Sequence, residues 1–328
     1  MFGVLLGVCC LLTASCKRSR SQEFLTSGPV ALQQDVHPPF RFVAYGDIRF
    51  TDPANTDASN PAVRVALVQA IAEAKPAFIS IGGDIVLNGY NPDDWKVFDS
   101  ETAIWREDKI PVFPAIGNHD LHGDPRVALT NYFERFPELH DARYYSVRAA
   151  NTLILTLDSA LDETSGTQGA WLAQELDSLP ADVDFVFIVL HHPPYTSSSD
   201  AMIGGGHSSR TAEQELARML ESRQPKMHAR IIVIAGHVHN YERFEHGGVN
   251  YFVSGGGGAH PYLIDRRPGD LFQGQGVNYH YLLITVDRGK LTVTMNRVAL
   301  TNGKTIWTQP DLLTISLPSA ATGKAAAR

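Results

Sequence analysis

Five short polar motifs carry side chains able to hold a metal ion or move a proton. They are Asp47 in Tyr45-Gly46-Asp47-Ile48-Arg49, Gly83-Asp84, Gly117-Asn118-His119-Asp120, His191-His192-Pro193 and Gly236-His237-Val238-His239. Each comes just after an apolar run: Phe42-Val43-Ala44, Phe78 to Ile81, Val112 to Ile116, Phe185 to Leu190 and Ile231 to Ala235. Runs this short read as buried strands. If they share one sheet, all five motifs emerge at its carboxyl edge, where open α/β sheets build their sites. The donors are Asp, Asn and His, oxygen and nitrogen with no sulfur, a set that suits Zn, Mn or Fe. A Gly-Asp pair after a strand is by itself an ordinary turn, so the weight lies in the five together.

The elements that must position these motifs alternate. Pro61 to Ala74 carries Val63, Ala66, Leu67, Ala70 and Ile71 at helical spacing behind Asn60 as N-cap. Trp171, Leu172, Leu176 and Leu179 mark a second helix, and Ala212 to Leu220 a third. Strand then helix, repeated, predicts an α/β domain. Tyr144 to Ser159 reads instead as two strands turning at Ala149-Ala150-Asn151. From Val249 onward only strands are expected, including Tyr281 to Val286 and Leu291 to Val298 around an Asp287-Arg288-Gly289-Lys290 turn. Two mixed β-sheets packed face to face and flanked by helices fit this pattern. No internal repeat and no linker divides the body.

The motifs, in this order over roughly residues 40 to 300, resemble the calcineurin-like metallophosphoesterases. Gly236-His237-Val238-His239-Asn240-Tyr241-Glu242-Arg243 and the later Gly255 to Gly258 run are most similar to the purple acid phosphatase branch. The resemblance implies an α/β/β/α sandwich and two metal ions, Fe, Mn or Zn. Carried over residue by residue, it makes Asp84 a bridging ligand, gives Asp47 and His239 to the first position, and gives Asn118, His191 and His237 to the second. Two ions of this kind would generate hydroxide near neutral pH and hold the phosphoryl oxygens. His119, oriented by an imidazole-to-carboxylate bond from Asp120, would stabilise the phosphoryl group and protonate the leaving oxygen. His207, after Gly204-Gly205-Gly206, resembles a substrate-side histidine of the purple branch and competes for that role.

Two positions depart from the family. Arg49 stands where the general family has a metal-binding His, and Leu87 where the purple branch has a Tyr ligand. A guanidinium does not ligate metal. Arg49 is therefore expected either to clamp a phosphoryl oxygen, with water or Asn60 completing the ion's shell, or to mark a weak first site. Leu87 argues against a ferric-tyrosinate centre. His192 reads as a supporting residue, Gly255 to Gly258 as tight packing near the metals, and Tyr241, Glu242 and Arg243 as fixing a turn. His260 and His280 have no assigned role.

Bulk properties set the limits. Apolar residues make up 44% and charged residues 19% of the 328, a globular balance with a sizeable core. The net charge of −7 argues against a broad nucleic-acid or anionic-membrane surface. All three cysteines, Cys9, Cys10 and Cys16, lie near the N-terminus, so the body holds no disulfide and no thiolate ligand. Residues 4 to 14 form an apolar stretch of signal-peptide length, and Thr13-Ala14-Ser15-Cys16 resembles a lipobox. The expected organisation is a signal or lipobox segment over 1–16, a tether over 17–39, the catalytic domain over 40–318 and a disordered tail over 319–328. The expected protein is exported to the periplasm or cell envelope, with a possible lipid anchor at Cys16. Its expected activity is hydrolysis of small phosphate esters, phosphomonoesters first. The rivals are a phosphodiesterase acting on nucleotides or lipid head groups, and a metal- and phosphate-binding protein with little turnover.

Overall fold

The computed structural model describes residues 28–199 and 207–317. The signal-like segment with Cys16, the Gly204-Gly205-Gly206 run and the 319–328 tail lie outside the described residues.

In chain order the strands are β1 (Val30–Gln34), β2 (Phe40–Tyr45), β3 (Ile79–Ile81), β4 (Val112–Pro114), β5 (Tyr145–Ala149), β6 (Thr152–Thr156) and β7 (Phe185–Leu190). They continue with β8 (Arg230–Ala235), β9 (Tyr241–His246), β10 (Val249–Ser254), β11 (Tyr279–Asp287), β12 (Lys290–Thr301), β13 (Lys304–Thr308) and β14 (Leu312–Ser316). The helices are α1 (Pro61–Glu73), α2 (Pro92–Glu101), α3 (Ala103–Glu107), α4 (Pro125–Arg135), α5 (Gly166–Asp177) and α6 (Thr211–Arg223).

Two mixed sheets form, one ordered β1-β5-β6-β7-β8-β10-β9 and the other β13-β12-β11-β2-β3-β4, with β14 on β12. The two-sheet expectation holds, but the single edge does not. The strands before Asp47, Asp84 and Asn118 pair in parallel in the second sheet, and those before His191 and His237 pair in parallel in the first. The site is therefore assembled from the carboxyl edges of two sheets. Between them lies an aromatic core in which Phe42 stacks on Phe78 at 4.7 Å and meets Phe187 of the opposite sheet edge-on at 5.1 Å. Strand β7 shows why its sequence is apolar throughout. Phe185, Phe187 and Val189 face this core, while Val186, Ile188 and Leu190 face a second one containing Leu172 and Leu176 of α5 and Leu216 and Leu220 of α6. A strand covered on both faces has no polar side to show.

Helix starts follow one local rule. Asn60 accepts from Val63 N at 3.2 Å ahead of Pro61, Asn91 caps α2 ahead of Pro92, and Asp124 caps α4 ahead of Pro125. The side chain satisfies an orphan N–H, and proline supplies the helical φ where no donor is needed. One boundary differs from expectation. Residues 30–34 of the expected tether form β1, paired in parallel with β5, because edge pairing satisfies backbone groups that a tether leaves to water. Tyr241, Glu242 and Arg243 open β9 and fix neighbouring segments from there, Tyr241 Oη and Arg243 Nε each 2.7 Å from Asp311 Oδ2 and Glu242 accepting from Thr196 Oγ1 at 2.7 Å.

Candidate metal centre

The motif loops are tied to one another before any side chain is considered. Asp47 N donates to Gly83 O at 3.0 Å, Ile48 N to Asp84 O at 3.0 Å, and Gly236 N to His191 O at 3.0 Å. Asp47, Arg49, Asp84 and His237 all have positive φ, from 53° to 71°. Non-glycine residues bear that strain only where surrounding contacts over-determine them, a pattern that concentrates at functional sites. Gly117 is required because a Cβ there would overlap the Asp84 amide nitrogen and Oδ1. The Gly255 to Gly258 run packs as expected, since a Cβ at Gly255 would sit 2.8 Å from Asp47 Oδ2.

Asp47, Asp84 and His239 form one group of potential ligands, all three buried. His239 Nδ1 donates to the His260 carbonyl at 2.6 Å, which leaves Nε2 as a lone pair. That lone pair faces Asp47 Oδ1 at 3.5 Å, and neither atom has a hydrogen-bond partner. Two buried acceptors facing each other need a positive charge between them, a proton on the Asp47 carboxyl or, with Asp84 alongside, a metal ion. Asp47 Oδ2 is spoken for, accepting from His237 N at 2.8 Å.

A second group lies alongside. His191 Nδ1 donates to Gly82 O at 2.9 Å, so Nε2 is again the open nitrogen. Around that nitrogen stand Asn118 Oδ1 at 2.9 Å, His237 Nδ1 at 3.2 Å and Asp84 Oδ1 at 3.4 Å. Every ligand position expected from sequence is thus brought together, and Asp84 touches both groups. Backbone carbonyls fix the tautomers, the orienting role that outer partners play around metal-binding histidines. His192 comes closer than expected, grouping with His191 and His237 while its Nδ1 lies 2.7 Å from Ser159 Oγ. The donor set fits metal ions in both places.

Electrostatics agree with the geometry. Burial alone would raise the Asp84 carboxyl, but His191 and then Arg49 outweigh it and hold it well below the usual carboxylate range. Burial and then the Asp84 charge push Asp47 well up. Burial lowers His191 and His239, keeping both imidazoles neutral and able to ligate.

The expected Asp120–His119 bond is not made. His119 Nδ1 is 2.7 Å from the Leu87 carbonyl, so the residue that replaces the family's Tyr ligand orients His119 through its main chain. Asp120 is buried and accepts from Ile85 N at 2.9 Å, Val86 N at 3.2 Å and Gly117 N at 2.9 Å. Its carboxylate staples the Asp84 loop to the Asn118 loop, three backbone donors being a better match for a buried carboxylate than one imidazole. Burial and then Asp84 push it up to about 8. His119 N donates to Asp84 Oδ1 at 2.9 Å, and burial lowers the His119 imidazole to about 4. His207 stacks on His237 at 4.9 Å, so it does reach the site.

Arg49 Nη2 lies 3.3 Å from Asp84 Oδ2, placing the guanidinium at the shared carboxylate. Asn60 cannot complete an ion's shell there, because its side-chain oxygen caps α1. Two residues were not visible in the sequence. Buried Arg64 donates to the Arg49 carbonyl at 3.3 Å, to Thr51 O at 3.1 Å and to Glu101 Oε1 at 2.7 Å, holding the Arg49 loop from beneath. Tyr262 stacks on His239 with centroids 4.2 Å apart and planes at 12°. Arg64 sits on an apolar helical face, where a buried cation breaks the pattern. No local signal marks Tyr262. His280 is structural, its Nε2 2.9 Å from Ser254 Oγ.

The calcineurin-like phosphoesterase family model matches residues 35–241. A phosphoenolpyruvate phosphatase from Allium cepa is 30% identical over 167 residues, 48% of this chain and 32% of that protein. The chain therefore spans about a third of that relative's length. The purple acid phosphatase PPD1 of yellow lupin (Lupinus luteus) seeds superposes with a TM-score of 0.68 at 18% identity, covering 84% of this chain and 53% of that one. GAP50, described as the anchor in the inner membrane complex of Plasmodium, does so with a TM-score of 0.61 at 16% identity, covering 86% and 90%. At these identities the likeness is one of fold.

Proposed function

The chain belongs to the calcineurin-like phosphoesterase family, and from that premise we propose that it hydrolyses small phosphoric esters, monoesters in preference to diesters. One observation carries the reading: two adjoining sets of buried acceptors, with Asp84 shared, face each other where cations would satisfy them. Metal ions bound there would supply Lewis-acid polarisation of the phosphoryl oxygens and activation of the attacking water. The protein's own groups do the rest. Arg49 presents a positive fork beside Asp84 and holds a phosphoryl oxygen. As water attacks phosphorus and the ester P–O bond breaks, His119 in its imidazolium form, with Nδ1–H held by the Leu87 carbonyl, gives its Nε2 proton to the leaving oxygen and ends neutral. Because burial lowers the imidazole to about 4, this form grows as the medium turns acidic. The products are an alcohol and inorganic phosphate. The phosphatase names of the relatives support the same substrate class.

A second reading rests on the Arg49–Asp84 pair. A guanidinium at the shared carboxylate competes with a cation, which favours a metal- and phosphate-binding protein with little turnover; GAP50 illustrates that this fold serves other ends. Protein purified with Mn or Zn, assayed against paired aryl phosphate mono- and diesters, separates the readings. Faster monoester turnover is expected, a diester preference would reverse the substrate assignment, and metal binding without phosphate release would establish the second reading.

Export with acylation at Cys16 is part of the proposal, supported by the apolar stretch over 4 to 14 and the Thr13-Ala14-Ser15-Cys16 sequence. Mass spectrometry should find a lipid-modified N-terminal Cys16, and Cys16→Ser should release the protein from membranes. An intact Met1 on cytoplasmic protein would contradict it.

A further inference from the structure

Tyr262 lies in the irregular stretch between β10 and β11, outside every motif, yet its position is firmly set. Its N donates to the His239 carbonyl at 3.1 Å, and its own carbonyl accepts from Asn240 Nδ2 at 2.6 Å. Asn240 is buried and is held in turn by Arg266 Nη2 at 3.0 Å and Asn278 Nδ2 at 2.8 Å. The ring is wedged between His239, on which it stacks, and His207, which meets it at 4.8 Å and 78°. The ring thereby stands at the first ligand group, and after burial the charges acting on its hydroxyl are those of Arg49, Asp47 and Asp84. A tetrahedral phosphoryl group offers several oxygens, and an arginine fork satisfies at most two of them in one plane. A phenol beside that fork supplies a further donor out of the plane. Its aromatic body keeps the donor rigid at little entropic cost.

We propose that Tyr262 is a substrate-binding residue whose hydroxyl joins the Arg49 guanidinium in holding the phosphoryl oxygens. The assignment rests on the phosphoric-ester reading above and adds to it a donor that no motif contains. Tyr262→Phe keeps the ring and its stacking on His239 while deleting the donor.

The test uses the metal-loaded protein with inorganic phosphate as the probe, measured by calorimetry, beside KM and kcat for an aryl monoester and metal content by elemental analysis. In Tyr262→Phe, phosphate should bind roughly 10- to 100-fold more weakly, the usual range for one hydrogen bond to a charged group. KM should rise by a similar factor, with metal content unchanged. Because the two donors serve one ligand, the loss in Arg49→Ala/Tyr262→Phe should be smaller than the product of the single losses. Wild-type phosphate affinity and KM in Tyr262→Phe, in a protein whose parent is active, would overturn the proposal. Loss of bound metal would also overturn it, making Tyr262 a ligand or a support of His239. A parent protein that neither binds phosphate nor turns over esters would instead bring down the phosphoric-ester reading itself, and this assignment with it.

Discussion

His239 Nε2 and Asp47 Oδ1 face each other across 3.5 Å of buried space, and neither has a hydrogen-bond partner. Each is held there by a bond on its other side, His239 by the His260 carbonyl and Asp47 by the His237 amide. The fold has thus fixed two electron-pair donors toward one point, which is what a metal position requires.

Asp84 is the residue common to both groups, so its loss should be the most damaging. Asp84→Ala removes a buried carboxylate that meets His191, His119 N and Arg49. Elemental analysis should show bound metal falling together with turnover. Full metal and full activity in this variant would sink the assignment of the bridge.

The proton-transfer role proposed for His119 lies outside the ligand groups, so His119→Ala should separate chemistry from metal binding. Metal content should persist while kcat for alkyl esters, with their poor leaving groups, falls by about 10²–10⁴. Aryl esters need less protonation and should lose less. Equal losses on both ester types would move the role to His207, which stacks on His237.

Much of this site was legible because ligand chemistry restricts residue types and strand ends restrict their placement. Those two facts pick out the five motifs; that Asp47, Asp84, Asn118, His191, His237 and His239 are the ligands among them, rather than His119, Asp120 or His192, is what the family resemblance implies. Which sheet each strand joins was not legible, since β3 and β7 are buried throughout and an all-apolar strand does not show which face meets which neighbour. Helices α2 and α4 begin with Asn91-Pro92 and Asp124-Pro125, the same signature as Asn60-Pro61, and so are readable by the rule that finds α1. Asp120 could not be assigned from its neighbour in sequence, because its partners Ile85 and Val86 lie on another loop. Tyr262 depends on the path of a long irregular segment, which no periodicity encodes.

Arg49 should affect substrate more than metal. Arg49→Ala removes the fork at Asp84 and is expected to raise KM and weaken phosphate inhibition while metal content stays high. Arg49→His adds a potential ligand and should slow loss of the first ion under mild chelation, at the expense of substrate affinity. Unchanged KM and phosphate inhibition in Arg49→Ala would favour the competing view, in which the guanidinium weakens the first metal position.

A pH effect on stability is expected away from the metals. Glu163 is buried, and burial followed by the neighbouring Glu213 pushes its carboxyl up to about 9. A folded pKa above the unfolded value means that the native state binds the proton more tightly. The contribution is therefore complete below about pH 4.5 and is lost as pH rises toward 9. Glu163→Gln keeps the shape and removes the titration. Thermal melts should show the variant gaining on the parent between pH 5 and 9, by roughly 2–4 °C for each kcal/mol recovered. Parallel Tm curves for the two proteins across that range would contradict the shift.

Phosphate release is proposed to need both metal positions. Chelator-stripped protein titrated with Mn or Zn, with bound metal per chain and aryl monoester hydrolysis followed in the same samples, tests this most directly. Activity should be absent in the stripped protein and climb until two ions are bound per chain. Phosphate release that survives complete chelation, or a fully loaded protein that releases none, would contradict it.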